Sequence, residues 1–157
     1  MEGEKSLWKG KPDPKIVWKW TLLKGLGWSI LAVILFAMFL VIFKNLTAFF
    51  IAIAGAFILS FFWNTWLRKT YEYEITDKNV YFKGGILLKK QSIVPFFKIT
   101  NMPNTQDVID QVLAITTVGI QTAGTGGQPF PEITFEGMTN PDEVTEILKQ
   151  QIEKSRK

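Results

Sequence analysis

Residues 25–43 read GLGWSILAVILFAMFLVIF, and residues 46–67 read LTAFFIAIAGAFILSFFWNTWL. Neither stretch holds a charged side chain, and only Lys44 and Asn45 stand between them. A helix rises about 1.5 Å per residue, so nineteen residues reach roughly 28 Å, close to the roughly 30 Å of bilayer hydrocarbon. A two-residue break leaves room only for a reversal of direction. The pattern predicts a transmembrane helical hairpin, with spans over 22–43 and 46–67 and a turn at 44–45.

The formal charge of +4 is spread unevenly. Residues 1–67 carry +4, Arg68 and Lys69 add +2, and residues 70–157 carry −2. Lys5, Lys9, Lys11, Lys15, Lys19 and Lys24 precede the first apolar run, whereas the turn holds only Lys44. Under the positive-inside rule this places both termini in the cytosol of a multi-pass, two-span protein of the cell membrane. Trp18, Trp20, Trp63 and Trp66 stand at the cytosolic ends of the two runs, where indole rings anchor at the membrane interface. Residues 22–43 do not read as a signal peptide: the run is too long, and a second span follows at once. The sequon at Asn45-Leu46-Thr47 sits too close to the bilayer for glycosylation and reads as chance.

The chain has no Cys and no His. Disulfides, Ser-His or Cys-His nucleophiles and Cys/His zinc sites are therefore excluded. No cofactor, no metal and no catalytic residues are expected, and the protein reads as a non-enzyme. The mildly acidic region after residue 69 lacks the basic face that nucleic acid requires, so no nucleic-acid partner is expected.

Residues 1–21, with Pro12 and Pro14, read as an extended cytosolic arm. After Leu67 the pattern changes to alternation, and residues 68–157 form the second domain. In residues 70–76, Tyr71, Tyr73 and Ile75 share one strand face and Glu72 and Glu74 the other. Asp77-Lys78-Asn79 turns into a strand over 80–83, and Gly84-Gly85 turns into a strand over 86–94. Phe96 to Thr100 reads as an edge strand after Pro95. Asp107 to Ala114 makes a helical turn, followed by strands over 115–122 and 132–136. Asn140, Pro141 and Glu143 punctuate the start of a C-terminal helix over 141–155. Val144, Ile147, Leu148 and Ile152 make its apolar face. The fold class expected is a membrane protein of α+β type: the N-terminal hairpin, then a small β-barrel or sandwich capped by the last helix.

Several segments resemble a family. Leu7-Trp8-Lys9-Gly10-Lys11-Pro12 is similar to the tryptophan-and-proline segment that membrane-flanked bacterial and archaeal pleckstrin-homology (PH)-like domain proteins carry before their first span. Residues 73–80 resemble their first hairpin, and residues 93–100 their proline-led strand, with Lys98-Ile99 where Arg-Ile is common. Residues 113–124 (LAITTVGIQTAG) resemble the family's most distinctive run. The resemblance covers nearly the whole chain and implies a PH-like fold, but no particular activity.

Four groups of residues are site candidates. Ala48, Ala52, Ala56 and Ser60 place a small residue at every fourth position, a row that lets helices pack closely within the hairpin or between subunits. Lys78, Lys83, Lys89 and Lys90 cluster around the early hairpins and offer lipid head-group contact, against a plain reading as a solvated surface. The tryptophans named above are the interface anchors. Phe96 and Phe97, adjacent on a strand, point to opposite faces, so one is free for a partner or membrane contact. Gly124 to Gln128 lacks the ending of a phosphate loop, and Asp107 and Asp110 read as solvated loop acids.

The sequence thus predicts a non-catalytic, membrane-anchored PH-like domain acting as a scaffold, a self-assembling structural protein or an accessory subunit of a membrane complex. Its partners would be membrane lipids and either further copies (a homo-oligomer) or another membrane protein. A lipid-binding or lipid-handling module and a transporter or channel subunit stand as alternatives.

Overall fold

A computed structural model describes residues 4–23, 46–122 and 131–155. The chain divides into two compact units, Met1–Ile16 with Leu67–Lys157, and Val17–Trp66.

In the first unit, β1 (Ser6–Gly10), β2 (Glu72–Thr76), β3 (Asn79–Gly84) and β4 (Lys90–Pro95) form an antiparallel sheet in that order. A second sheet is built on β7 (Thr116–Thr122). β5 (Ile99–Asn101) and β6 (Asn104–Thr105) pair with β7, as does β8 (Ile133–Met138). Alternation decides which side chains turn inward: Tyr73 and Ile75 are buried on β2, while Glu72 is exposed. Val80, Val94, Val118, Ile120, Ile133 and Phe135 join them in one core. Helix α4 (Pro141–Ser155) adds Val144, Leu148 and Ile152 to that core, at the spacing that lines one helical face.

One buried side chain ties the sheets together. Tyr73 stacks on Phe135 with ring centroids 4.5 Å apart, and Trp8 stacks on Phe135 at 6.2 Å. The Tyr73 hydroxyl accepts from the Glu136 N–H at 3.0 Å and donates to the Glu136 carbonyl at 3.2 Å. Burial pushes the Tyr73 hydroxyl far above the usual tyrosine range, so it stays protonated and keeps its donor.

The N-terminal arm carries a strand, β1. β1 lies along β2, with Lys9 opposite Glu74 and paired to it at 3.1 Å. Lys11 reaches Glu72 at 3.5 Å. Just before β1, Glu4 accepts hydrogen bonds from Thr76 Oγ1 at 2.8 Å, Asn79 Nδ2 at 2.8 Å and Tyr81 Oη at 3.0 Å. Further on, the Asp13 N–H donates to the Gly137 carbonyl at 2.8 Å. Gly137 has φ +71°, and a Cβ there would press on Ile16 at 3.0 Å, so the position suits glycine alone.

Two local readings change. Phe96–Lys98 is a 3-10 turn, and the strand starts only at Ile99, because Pro95 supplies no N–H to continue the ladder. Residues 85–89 form a loop where the sequence suggested a strand from Ile86; β4 starts at Lys90.

The second unit contains helical residues 17–23 (the turn α1 begins at residue 16) and most of α2 (Leu46–Thr70). Trp18 packs against Phe61 with centroids 5.0 Å apart. Buried Asn64 donates to Thr21 Oγ1 and to Ser60 Oγ, each at 3.3 Å. The expected turn at Lys44 and Asn45, and the first apolar run beyond Leu23, lie outside the described residues. Among the described residues, no helix is long and apolar enough to cross a membrane. The apolar part of α2 ends at Leu67. It contains buried Asn64 and passes into Arg68 and Lys69. The transmembrane fold class and the multi-pass cell-membrane location expected from the sequence are corrected accordingly. The structure gives an α+β fold of sheets and helices instead.

Tyr73→Phe keeps the ring stack but removes both hydrogen bonds to β8, and should cost about 1–3 kcal/mol of stability in denaturant titration; an unchanged midpoint would contradict the bridging role. For Glu4, the hydrogen bond from Thr76 is the largest effect, and together with Tyr81, Asn79 and nearby Lys78 it holds the carboxyl below its ordinary range. A depressed folded-state pKa stabilises above the unfolded value, and that contribution is lost as pH falls through the folded value. The gap in denaturation midpoint between wild type and Glu4→Gln should therefore be present at neutral pH and close in acid. A gap that widens in acid would refute this role.

Candidate functional site

The β3–β4 hairpin projects the most distinctive surface of the first unit. Its register pairs Gly84 with Lys90 and Lys83 with Gln91, so the loop 85–89 is closed at its base by two lysine-bearing positions. Gly85 has φ +108°, and a Cβ there would overlap the Leu88 carbonyl, which folds back over it. The Gly85 N–H donates to Thr70 Oγ1 at 3.1 Å, fixing the loop to the end of α2. The result turns Leu87 and Leu88 outward, 83% and 88% exposed. Lys89 and Lys90 are exposed beside them, and Lys83 is half-buried at the base.

The electrostatics are one-sided. From Lys78 to Gln106 the chain contains five lysines and no carboxylate. Among the described residues the ion pairs are Lys9–Glu74 and Lys11–Glu72, so the β2 carboxylates are met by β1. Lys83, Lys89 and Lys90 make no such pair there.

The four lysines named from the sequence do not form one cluster. Lys78 lies in the β2–β3 turn, at the opposite end of β3 from Lys83. Five residues of strand put the two ends roughly 16 Å apart. Lys78 acts on Glu4, whereas Lys83, Lys89 and Lys90 share the loop end.

The other candidates fall as follows. Phe96 is buried in the core and Phe97 is 67% exposed, with the Lys98 ammonium 6.0 Å from its ring. Trp20 is buried, while Trp18, Trp63 and Trp66 are exposed, and Trp63 meets Trp66 edge-on. The side chains of Ala48 and Ala52 lie outside the described residues. Ala56 is exposed, and Ser60 is half-buried under the Asn64 amide. Gly124 to Gln128 also lies outside the described residues.

Asp107 and Asp110 are not solvated loop acids. They cap α3 (Val108–Leu113) reciprocally, each side chain accepting from the other's backbone N–H, and Asp110 is buried. Among the described residues no group of three or more carboxylates could hold a metal ion. Two surface clefts of about 320 and 240 Å³ mix charges, Lys11 and Arg68 with Asp13 and Glu143 in one, Lys149 with Glu153 in the other. Neither converges charge of one sign on a ligand.

Leu87 and Leu88 were hidden in the sequence inside an apparent strand. The usable signal was Ile86-Leu87-Leu88 after Gly84-Gly85, an apolar run without alternation, ending in two lysines.

The bacterial PH domain family matches residues 22–153. The chain belongs to that family. PH domains are in general non-catalytic modules that bind lipids or proteins. The membrane-flanked form of the resemblance is not part of what the match supports. β1 precedes the matched residues, so the strand that completes the first sheet lies outside the family's extent. No curated protein and no solved structure matches the chain.

Proposed function

We propose that this PH domain is a non-catalytic lipid-binding module whose β3–β4 hairpin meets an anionic bilayer surface. The observation that carries this reading is the hairpin end itself: Lys83, Lys89 and Lys90 without ion pairs among the described residues, in a stretch free of carboxylates. A basic end on a domain whose β2 acids are already paired is attracted to anionic head groups, and each lysine near such a surface contributes about 1 kcal/mol. Lys78, at the far end of β3, is not part of this contact.

A second reading, a scaffold or accessory subunit that self-associates or joins a partner protein, is favoured by α2. Phe50, Ile51, Ile58, Leu59 and Phe62 are all more than half exposed on it. A contiguous apolar helix surface of that kind marks a contact site.

Vesicle co-sedimentation of the full chain tests the first reading. Lys89→Ala/Lys90→Ala should weaken binding to phosphatidylserine-containing vesicles roughly 25-fold, about fivefold per lysine, and flatten its salt dependence. Binding that is indifferent to both lysines and salt would contradict it. Native mass measurement tests the second: Leu59→Asp/Phe62→Asp should reduce a defined assembly to a single copy, and a wild type already in single copy would refute it.

A further inference from the structure

We infer that Leu87 and Leu88 are a bilayer-inserting pair, entering the acyl boundary of an anionic membrane while Lys83, Lys89 and Lys90 engage the head groups around them. This rests on the lipid-surface reading above and extends it from electrostatic attraction to apolar insertion at named residues.

Leu88 and Leu87 are the two most exposed large apolar side chains among the described residues. Isolated exposed leucines are ordinary, but an adjacent pair at the outermost point of a hairpin is not. The left-handed Gly85, the Leu88 carbonyl folded over it and the hydrogen bond to Thr70 fix the loop with the leucines outward. Burial inside the unit is not available to them, since the core is already filled by Tyr73, Val80, Val94, Phe96 and their neighbours.

The surroundings select a lipid surface over a protein pocket. The leucines stand at the tip and the lysines at the base and flank, an order that matches acyl chains beyond head groups. Lysine stems are long enough to keep the ammonium among phosphates while the tip descends. No carboxylate interrupts the loop or its strands, and Glu72, which stands opposite Lys83 on β2, is met by Lys11.

The chain has no cysteine, so a single introduced one can be labelled cleanly. Full-length protein carrying Leu87→Cys, and a control carrying Gln150→Cys on the exposed side of α4, would be labelled with an environment-sensitive fluorophore. Each is mixed with phosphatidylcholine vesicles in which a third of the lipid is phosphatidylserine. The label at 87 should shift to the blue and be quenched by acyl-brominated lipid, and the label at 150 should not. Unlabelled Leu87→Ser/Leu88→Ser should lose about tenfold in vesicle affinity or more while its salt dependence stays that of the wild type.

Salt-sensitive binding that needs Lys89 and Lys90, with the label at 87 remaining in water, would overturn insertion and leave the lipid-surface reading standing. A wild type with no salt-sensitive binding to these vesicles would overturn both. A blue shift at 87 that appears with protein concentration and without vesicles would overturn insertion in favour of contact between copies.

Discussion

Two hydrogen bonds and a stacked ring organise the first unit. β8 has β7 along one side; on the other, its backbone at Glu136 meets the hydroxyl of Tyr73. A sheet edge left bare would hold unsatisfied N–H and carbonyl groups at the margin of the core. One tyrosine supplies both a donor and an acceptor there, and its ring packs on Phe135 of the same strand. The Asp13 N–H continues the cover at the next residue, bonding the Gly137 carbonyl. Two sheets with no shared ladder thus become one folded body, and β2, which carries Tyr73, takes a fixed place within it.

The first sheet inherits its arrangement from β2. β1 lies on one side, its lysines answering Glu72 and Glu74, and β3 lies on the other. Among the described residues charge on the sheet is sorted by strand: the β2 acids are paired, and the lysines at the far end of the β3–β4 hairpin make no ion pair. The apolar tip beside those lysines depends on a glycine that can hold φ +108°. The proposed recognition uses a short loop carried by a well-tied sheet, the arrangement expected of a binding surface on a stable scaffold.

The sequence discloses what is local. Alternation over residues 71–75, the Gly84-Gly85 break and the punctuation at Asn140, Pro141 and Glu143 depend on neighbours a few residues away. What it conceals is long-range. Nothing near Ser6 announces a strand whose partner begins at Glu72, and nothing in Tyr73 marks a hydroxyl aimed at Glu136. Two aspartates three apart read locally as solvated loop acids, and only the fold reveals the reciprocal cap on α3. Hydropathy is the local signal that departs furthest from the structure. It registers that a segment is apolar, but not that Asn64 is buried against Thr21. The lysines are legible as a group because they are close in sequence, yet the length of β3 places Lys78 at its other end.

The most direct measurement is amide hydrogen exchange across the full chain, with and without vesicles containing phosphatidylserine. The account predicts new protection confined to residues 83–90, with β1 and the exposed side of α4 unchanged. Protection on β1 or α4, with residues 83–90 exchanging as they do without lipid, would contradict it.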